Sequence, residues 1–284
     1  MRWDIGAVYK EIRKSKGLSQ KQVAGELISR QSLISFEKGE STPRYETMEY
    51  LLRQIDMSFA EFEYICNYYQ PSKRQEIFND FFHLIHSNNP KDFETILNKC
   101  HVYLKNNHDI PVQRLESLIN IVAHIKENGI HHIKSDIQQL TQDLWEELAS
   151  QDIWYESDLR ILNAILFYFP LDRVHHITDQ ILDTLEKYRN YTPIRSKQLI
   201  ILENLATLYL YNQQLDDCKR IINIVLQLAR EEKRYDKLAF SQVRLGICTK
   251  DDSLIQKGLQ ILELIEDQEL LNTAQEEVEQ FKTE

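Results

Sequence analysis

Two serine-led segments near the start of the chain carry side chains suited to nucleic-acid chemistry. Ser19 and Gln20 open one; Ser29, Arg30 and Gln31 open the next, with Ser35 and Lys38 following inside it. Arginine can grip guanine through two hydrogen bonds, glutamine can do so with adenine, and short hydroxyls or helix starts suit phosphate oxygens. No enzyme chemistry is spelled as clearly. The sequence has no GxGxxG, GxxxxGK[ST] or HExxH pattern, so dinucleotide, P-loop and zinc-protease chemistry find no support. His83 and His86 share helical spacing but lack a nearby third ligand. The adjacent pairs His131-His132 and His175-His176 point apart on a helix, and no carboxylate pair stands out as catalytic. No metal, cofactor or enzymatic activity is expected.

Charge separates this start from the rest. Residues 1–44 hold nine Lys/Arg against five Asp/Glu, a balance of +4; residues 45–70 hold one against five, or −4; the remainder holds 24 against 34, or −10. A basic head on an acidic body is the pattern of a nucleic-acid module joined to a different module. With only 7 Gly and 6 Pro in 284 residues, the chain has little material for tight turns, and an all-α protein is expected. No apolar stretch is long enough to span a bilayer, no signal peptide is legible, and a cytoplasmic location follows as the expectation. Cys66, Cys100, Cys218 and Cys248 lie far apart without a CxxC pair and read as reduced, mostly buried thiols.

The elements that position the head chemistry are short. Asp4 can cap a helix carrying Ile5, Val8, Tyr9 and Ile12, stopped at Gly17; Ser19 and Ser29 cap two more, the second ending at Gly39. Thr42-Pro43 introduces a fourth with Met48, Leu51, Leu52 and Ile55, and Ser58 caps a fifth with Phe59, Phe62 and Ile65. The run Gly17-Leu18-Ser19-Gln20 … Val23-Ala24 … Ser29 … Leu33 … Phe36-Glu37-Lys38-Gly39-Glu40-Ser41 … Pro43 resembles the five-helix, helix-turn-helix domain of phage-repressor-type regulators. The resemblance implies that Ser29, Arg30, Gln31 and Ser35 face bases and that Ser19, Gln20 and Lys38 face phosphates. It also implies a structural ion pair between Arg13 and Glu37. Ile34-Ser35 departs from the pattern, since relatives place a further basic residue here.

From Lys73 to Phe281 amphipathic segments alternate with short polar breaks, enough for eleven helices in antiparallel pairs. One spacing recurs: Leu205-Ala206, Tyr209, Leu215, Cys218, Ile222, Val225; then Leu245-Gly246, Thr249, Ile255, Gly258, Leu262, Ile265; and more weakly from Ile161-Leu162 through Ile181. It resembles the tetratricopeptide repeat, whose helix pairs stack into a right-handed solenoid because neither helix can bury its stripe alone. The resemblance implies a groove lined by Arg160, Asn163 and Phe167, by Glu203, Asn204, Thr207 and Tyr211, and by Arg244, with Arg160, Asn204 and Arg244 as a row for an extended peptide. Asp267–Phe281, with Leu270, Leu271, Val278 and Phe281, is a candidate for part of the subunit interface, the alternative being a capping helix that closes the solenoid within its own subunit.

Head, body and the stretch Trp154-Tyr155-Glu156 … Asn163 … Phe167 together resemble the Rgg family of peptide-responsive regulators. That implies domains at 1–69 (DNA binding) and 70–284 (peptide binding and dimerisation), and a homodimer that binds double-stranded operator DNA and a short signalling peptide in quorum sensing. A tetratricopeptide scaffold or sensor that binds a folded protein and is tethered to DNA by its head is the alternative.

Overall fold

The computed structural model describes residues 4–84, 89–128 and 135–282, and every regular element in them is helical. His86 and the pair His131-His132 lie outside the described residues, as does the side chain of His83. Compact packing divides the chain into two units, Met1–Gln113 and Arg114–Glu284. This division falls later than the 69/70 boundary expected from sequence; α6 (Lys73–Leu84) and α7 (Pro90–Leu104) lie in the first unit and pair with each other. Lys99 ties that pair together, with its ammonium 2.5 Å from Glu76 and 2.7 Å from Asp80.

The first five helices are α1 (Ile5–Ser15), α2 (Gln20–Ala24), α3 (Arg30–Glu37), α4 (Tyr45–Gln54) and α5 (Phe59–Cys66). Ser19, Ser29 and Ser58 cap α2, α3 and α5 by accepting the N–H of the residue three positions on, whereas Asp4 holds the N-cap position of α1 without a side-chain capping bond. Their apolar stripes meet in one core of Val8, Tyr9, Leu33, Phe36, Leu51, Leu52, Ile55 and their neighbours. Gly6 lets α1 rest on the end of α3: a Cβ there would fall 1.8 Å from the Phe36 carbonyl oxygen. That contact fixes the tilt of α3 without any side chain.

In the second unit, α8 (Ile110–Asn128, entering from residue 114 onward) and α9 (Ser135–Ala149) precede the repeats. Then come three pairs: α10 (Glu156–Ile165) with α11 (Leu171–Lys187), α12 (Arg195–Tyr211) with α13 (Leu215–Glu231), and α14 (Tyr235–Thr249) with α15 (Asp252–Leu264). Short 3-10 turns at Leu166–Tyr168 and Thr192–Ile194 lead into α11 and α12. The recurring spacing marks these pairs, and its apolar members Leu205, Tyr209, Cys218, Ile222 and Val225 are buried. Thr249 and Ile265, at matching positions of the last pair, are exposed because α14 and α15 stop sooner. Gly258 permits the close crossing of α14 and α15, since a Cβ there would lie 2.6 Å from the Ala239 carbonyl oxygen and from Val243 Cγ2. Trp154 donates its indole N–H to the Leu148 carbonyl at 3.0 Å and anchors the start of α10. The last helix, α16 (Gln268–Lys282), packs on α14 and α15.

Candidate functional site

In the head, α3 presents Ser29, Arg30 and Gln31 at its exposed first turn, while its other face buries Leu33, Phe36 and Glu37. The same helix is thus fixed along one side and open at its start, which is the end a groove-reading helix uses. Ser29 also acts locally: its oxygen accepts the Ser32 N–H at 3.0 Å. Ser19 is likewise engaged in a reciprocal capping arrangement with Gln22. Both hydroxyls still lie at exposed helix starts, where backbone N–H groups suit an anion.

The Arg13–Glu37 pair lies where the resemblance put it. The guanidinium meets the carboxylate through two hydrogen bonds of 2.5 and 2.9 Å, with side chains only 6% and 0% exposed. Arg13 also donates to the Leu18 carbonyl at 2.6 Å, closing the loop between α1 and α2. Burial alone would push the Glu37 carboxyl up, but hydrogen bonds from Arg13 and Gln20 and the charges of Arg13 and Lys10 outweigh it and hold the group below the ordinary carboxylate range. Gln20, expected at the phosphates, is half-buried, and its amide also donates to Glu37 at 2.9 Å.

Two further expected contact residues share an unforeseen partner. Ser35 donates its hydroxyl to Glu40 at 3.1 Å, and the Lys38 ammonium sits 3.7 Å from the same carboxylate. Beside them Ser32, Ser41, Thr42 and Thr47 help line a shallow hollow of about 550 Å³ between α3 and the start of α4. Sequence reasoning centred on helix starts misses these hydroxyls; their density between residues 29 and 47 is the signal that could have found them.

In the second unit, α10, α12 and α14 lie side by side. Asn204 donates its amide to the Asn163 side-chain oxygen at 2.9 Å, and Arg244 reaches the Glu203 carbonyl at 3.3 Å. Arg160, Asn163, Phe167, Glu203, Asn204 and Thr207 are all half-buried, and Tyr211 is exposed. Thr207 bonds back to the Glu203 carbonyl at 2.9 Å. Glu203 is held 2.8 Å from Lys237; burial pushes its carboxyl upward, with Lys237 and Arg244 opposing. Its other oxygen is buried without a hydrogen-bond partner.

Arg244 corrects the expected row. Its guanidinium is clamped by Glu277 of α16 through bonds of 2.8 and 2.6 Å, the two side chains being 5% and 2% exposed, and it stacks 4.3 Å over Phe240. Phe281 of the same helix meets Tyr211 edge to face at 5.1 Å. The C-terminal helix therefore covers the inward positions of the third pair. Of the segment Asp267–Phe281, Leu271, Ala274 and Glu277 are buried within the chain's own unit, while Leu270, Val278 and Phe281 are half-buried. The positions left open run along α10 and α12.

Among known families, the C-terminal domain of the HTH-type transcriptional regulator Rgg matches residues 97–276, and a helix-turn-helix family matches residues 10–62. Solved structures share the fold over nearly the whole chain. A Listeria monocytogenes EGD-e protein described as a transcriptional regulator superposes with a TM-score of 0.80 at 18% identity, covering 99% of this chain and 98% of that one. The Streptococcus dysgalactiae SHP pheromone receptor Rgg2 gives 0.70 at 13% identity, with 97% and 99% covered. ComR of S. thermophilus, solved with DNA and its signalling peptide ComS, gives 0.63 at 16% identity, with 95% and 97% covered.

Proposed function

We propose, since the chain belongs to the Rgg family of HTH-type transcriptional regulators, that it is a homodimer whose heads bind operator DNA and whose helical repeats take a short signalling peptide along α10 and α12. Residues 1–69 are the DNA-binding domain in this reading and 70–284 the peptide-binding and dimerisation domain, acting in the cytoplasm. Twofold pairing is required on physical grounds: one recognition helix reads only a few base pairs, too few to single out a site in a genome.

The observation that carries the peptide reading is the Asn163–Asn204 hydrogen bond across neighbouring inner helices. Side-chain amides offer both donor and acceptor, so an extended backbone can replace this mutual bond with two bonds to itself. Arg160, Glu203 and Thr207 stand beside it, and Phe167 supplies an apolar wall. Binding then shifts the population between two arrangements of the body, and with it the spacing of the heads on DNA.

The test is fluorescence titration with synthetic short peptides, taken from any small reading frame that sequencing of the neighbouring DNA reveals. Asn204→Ala is expected to weaken the peptide about 10-fold or more, the scale of one well-placed hydrogen bond to a buried group, while leaving operator binding by the unliganded protein unchanged. Wild-type peptide affinity in Asn163→Ala and Asn204→Ala alike moves the site elsewhere. Binding of a folded protein but no peptide supports the scaffold alternative.

A further inference from the structure

The second unit holds a hollow of about 600 Å³ between the second halves of α11 and α13, over the first two turns of α12. Gln198 and Leu202, four residues apart, bring one stripe of α12 to it, whereas Asn204, Thr207 and Tyr211 follow the opposite stripe of that helix. The hollow is therefore separate from the proposed peptide groove. Its volume lies within the range of small-molecule sites.

Its walls and its rim differ in chemistry. Leu182, Ile224 and Leu228 are half-buried aliphatic side chains of the walls, with Leu202 buried at the base. Gln198 beside Leu202 is only 4% exposed and donates one amide N–H to the Leu185 carbonyl at 3.3 Å. A glutamine amide also has a second N–H and an acceptor oxygen. The rim carries two ion pairs: Arg189 stands 3.1 Å from Glu186, and Arg195 stands 3.0 Å from Glu231. Both side chains of the first pair are 70% exposed, so that pair contributes little and opens readily. Arg195 is held in place by Glu232 at 3.0 Å and by the Arg189 carbonyl at 3.3 Å. A simple anion at this mouth meets two glutamates, and a simple cation meets two arginines. A ligand that answers both signs must carry them as close together as the rim does. An α-amino acid does so, with ammonium and carboxylate on one carbon.

We propose that this hollow binds a free aliphatic α-amino acid. The side chain lies against Leu182, Ile224 and Leu228, where burial of hydrocarbon supplies the attraction. Arg189 and Arg195 take the carboxylate through charge-assisted hydrogen bonds. Glu186, Glu231 and the Gln198 oxygen take the ammonium. The bound molecule bridges α11 of the first repeat pair to α12 and α13 of the second, on the side of α12 away from Asn204, so the site stands whether or not a peptide occupies the inner groove.

Isothermal titration of the full-length protein with L-leucine tests this, with leucinamide and N-acetyl-leucine as probes that each lack one charge. L-Leucine should bind once per chain with a Kd of about 0.01–1 mM, the range open to a molecule of its size. Each single-charge probe should bind about 10-fold more weakly or worse. Arg189→Gln, at an exposed position that folding does not depend on, should weaken L-leucine about 5- to 10-fold. Ile224→Trp should fill the hollow and abolish binding, and Arg189→Gln keeps the test decisive if the tryptophan variant fails to fold. No heat with L-leucine up to about 10 mM overturns the proposal. So does N-acetyl-leucine or leucinamide binding as tightly as L-leucine, or unchanged affinity in folded Ile224→Trp. Wild type that ignores L-leucine but loses its dimer on Ile224→Trp, read by light scattering, would assign the hollow to a second copy of the chain and overturn it as well.

Discussion

The two units each contain a bidentate Arg–Glu pair that is almost fully buried, and the pairs differ in what they hold. Arg13–Glu37 joins the first helix of the head to the end of the helix that presents Arg30 and Gln31. Arg244–Glu277 joins an inner repeat helix to the C-terminal cap. The first positions a surface for a partner outside the chain. The second occupies a surface that would otherwise face one. A guanidinium in a groove-facing repeat position is a ligand contact only while the chain itself does not supply the anion, and at the last repeat of a stack the capping helix does.

Truncating these pairs is the largest expected effect. Glu37→Ala and Glu277→Ala each leave a guanidinium buried without its carboxylate, which should cost about 3–5 kcal/mol. Urea unfolding followed by hydrogen exchange should place the loss in α1–α3 for the first and in α14–α16 for the second. A Glu277→Ala protein as stable as wild type, but with altered peptide affinity, would break the comparison and return Arg244 to the groove.

Acid sharpens the contrast with a third carboxylate. The folded pKa of Glu37 is depressed, so its contribution to stability is present above the unfolded value of about 4.3 and is lost as pH falls through the folded value. Glu203 is shifted the other way by burial, so its contribution is complete below about 4.3 and is lost as pH rises through its raised folded value. The stability deficit of Glu37→Gln should therefore widen between pH 4 and pH 7, while that of Glu203→Gln should shrink. Urea midpoints at the two pH values read this directly, and parallel curves for the two variants would contradict the opposite shifts.

Much of the fold is legible in the sequence, for reasons that particular residues show. Serine caps and spaced apolar residues are local signals, so the five head helices and the three repeat pairs can be read from Ser19, Ser29, Leu205-Ala206 and Gly258. Arg13 and Glu37 can be matched because a family pattern fixes both positions at once. Gln20 and Arg244 escape such a reading for a shared reason. Each lies at a position whose direction the pattern fixes, but the carboxylate each one meets belongs to another helix, 17 residues away for Gln20 and 33 for Arg244. Periodicity tells where a side chain points and is silent on what stands there.

On the surface of the head, base reading and backbone attraction should separate. Arg30→Ala or Gln31→Ala should cost roughly 1–3 kcal/mol on the specific operator and relax preference at one position. Lys38→Ala should weaken all DNA alike and reduce the salt slope by about one. Titrations against operator variants at several salt concentrations distinguish these, and superimposable profiles would refute the division.

The smallest effect concerns Glu40, where the head carries an acid that is neither buried nor paired as Glu37 is. Its carboxylate accepts the Ser35 hydroxyl at 3.1 Å and stands 3.7 Å from the Lys38 ammonium, with both charged side chains more than half exposed. A solvated pair of this kind contributes little to folding, so Glu40→Gln should leave the unfolding midpoint unchanged. Its effect should appear on DNA instead. The carboxylate adds negative charge beside the cation expected at the phosphates, and removing it frees Lys38 and eliminates one repulsion. Affinity for any duplex should rise about 3- to 10-fold at low salt, with a salt slope steeper by about one. The gain should disappear at high salt, where screening removes interactions of this range. Weaker operator binding by Glu40→Gln would mean instead that Glu40 holds Ser35 in the orientation that reads a base, and would move Glu40 from a brake on binding to a support for it.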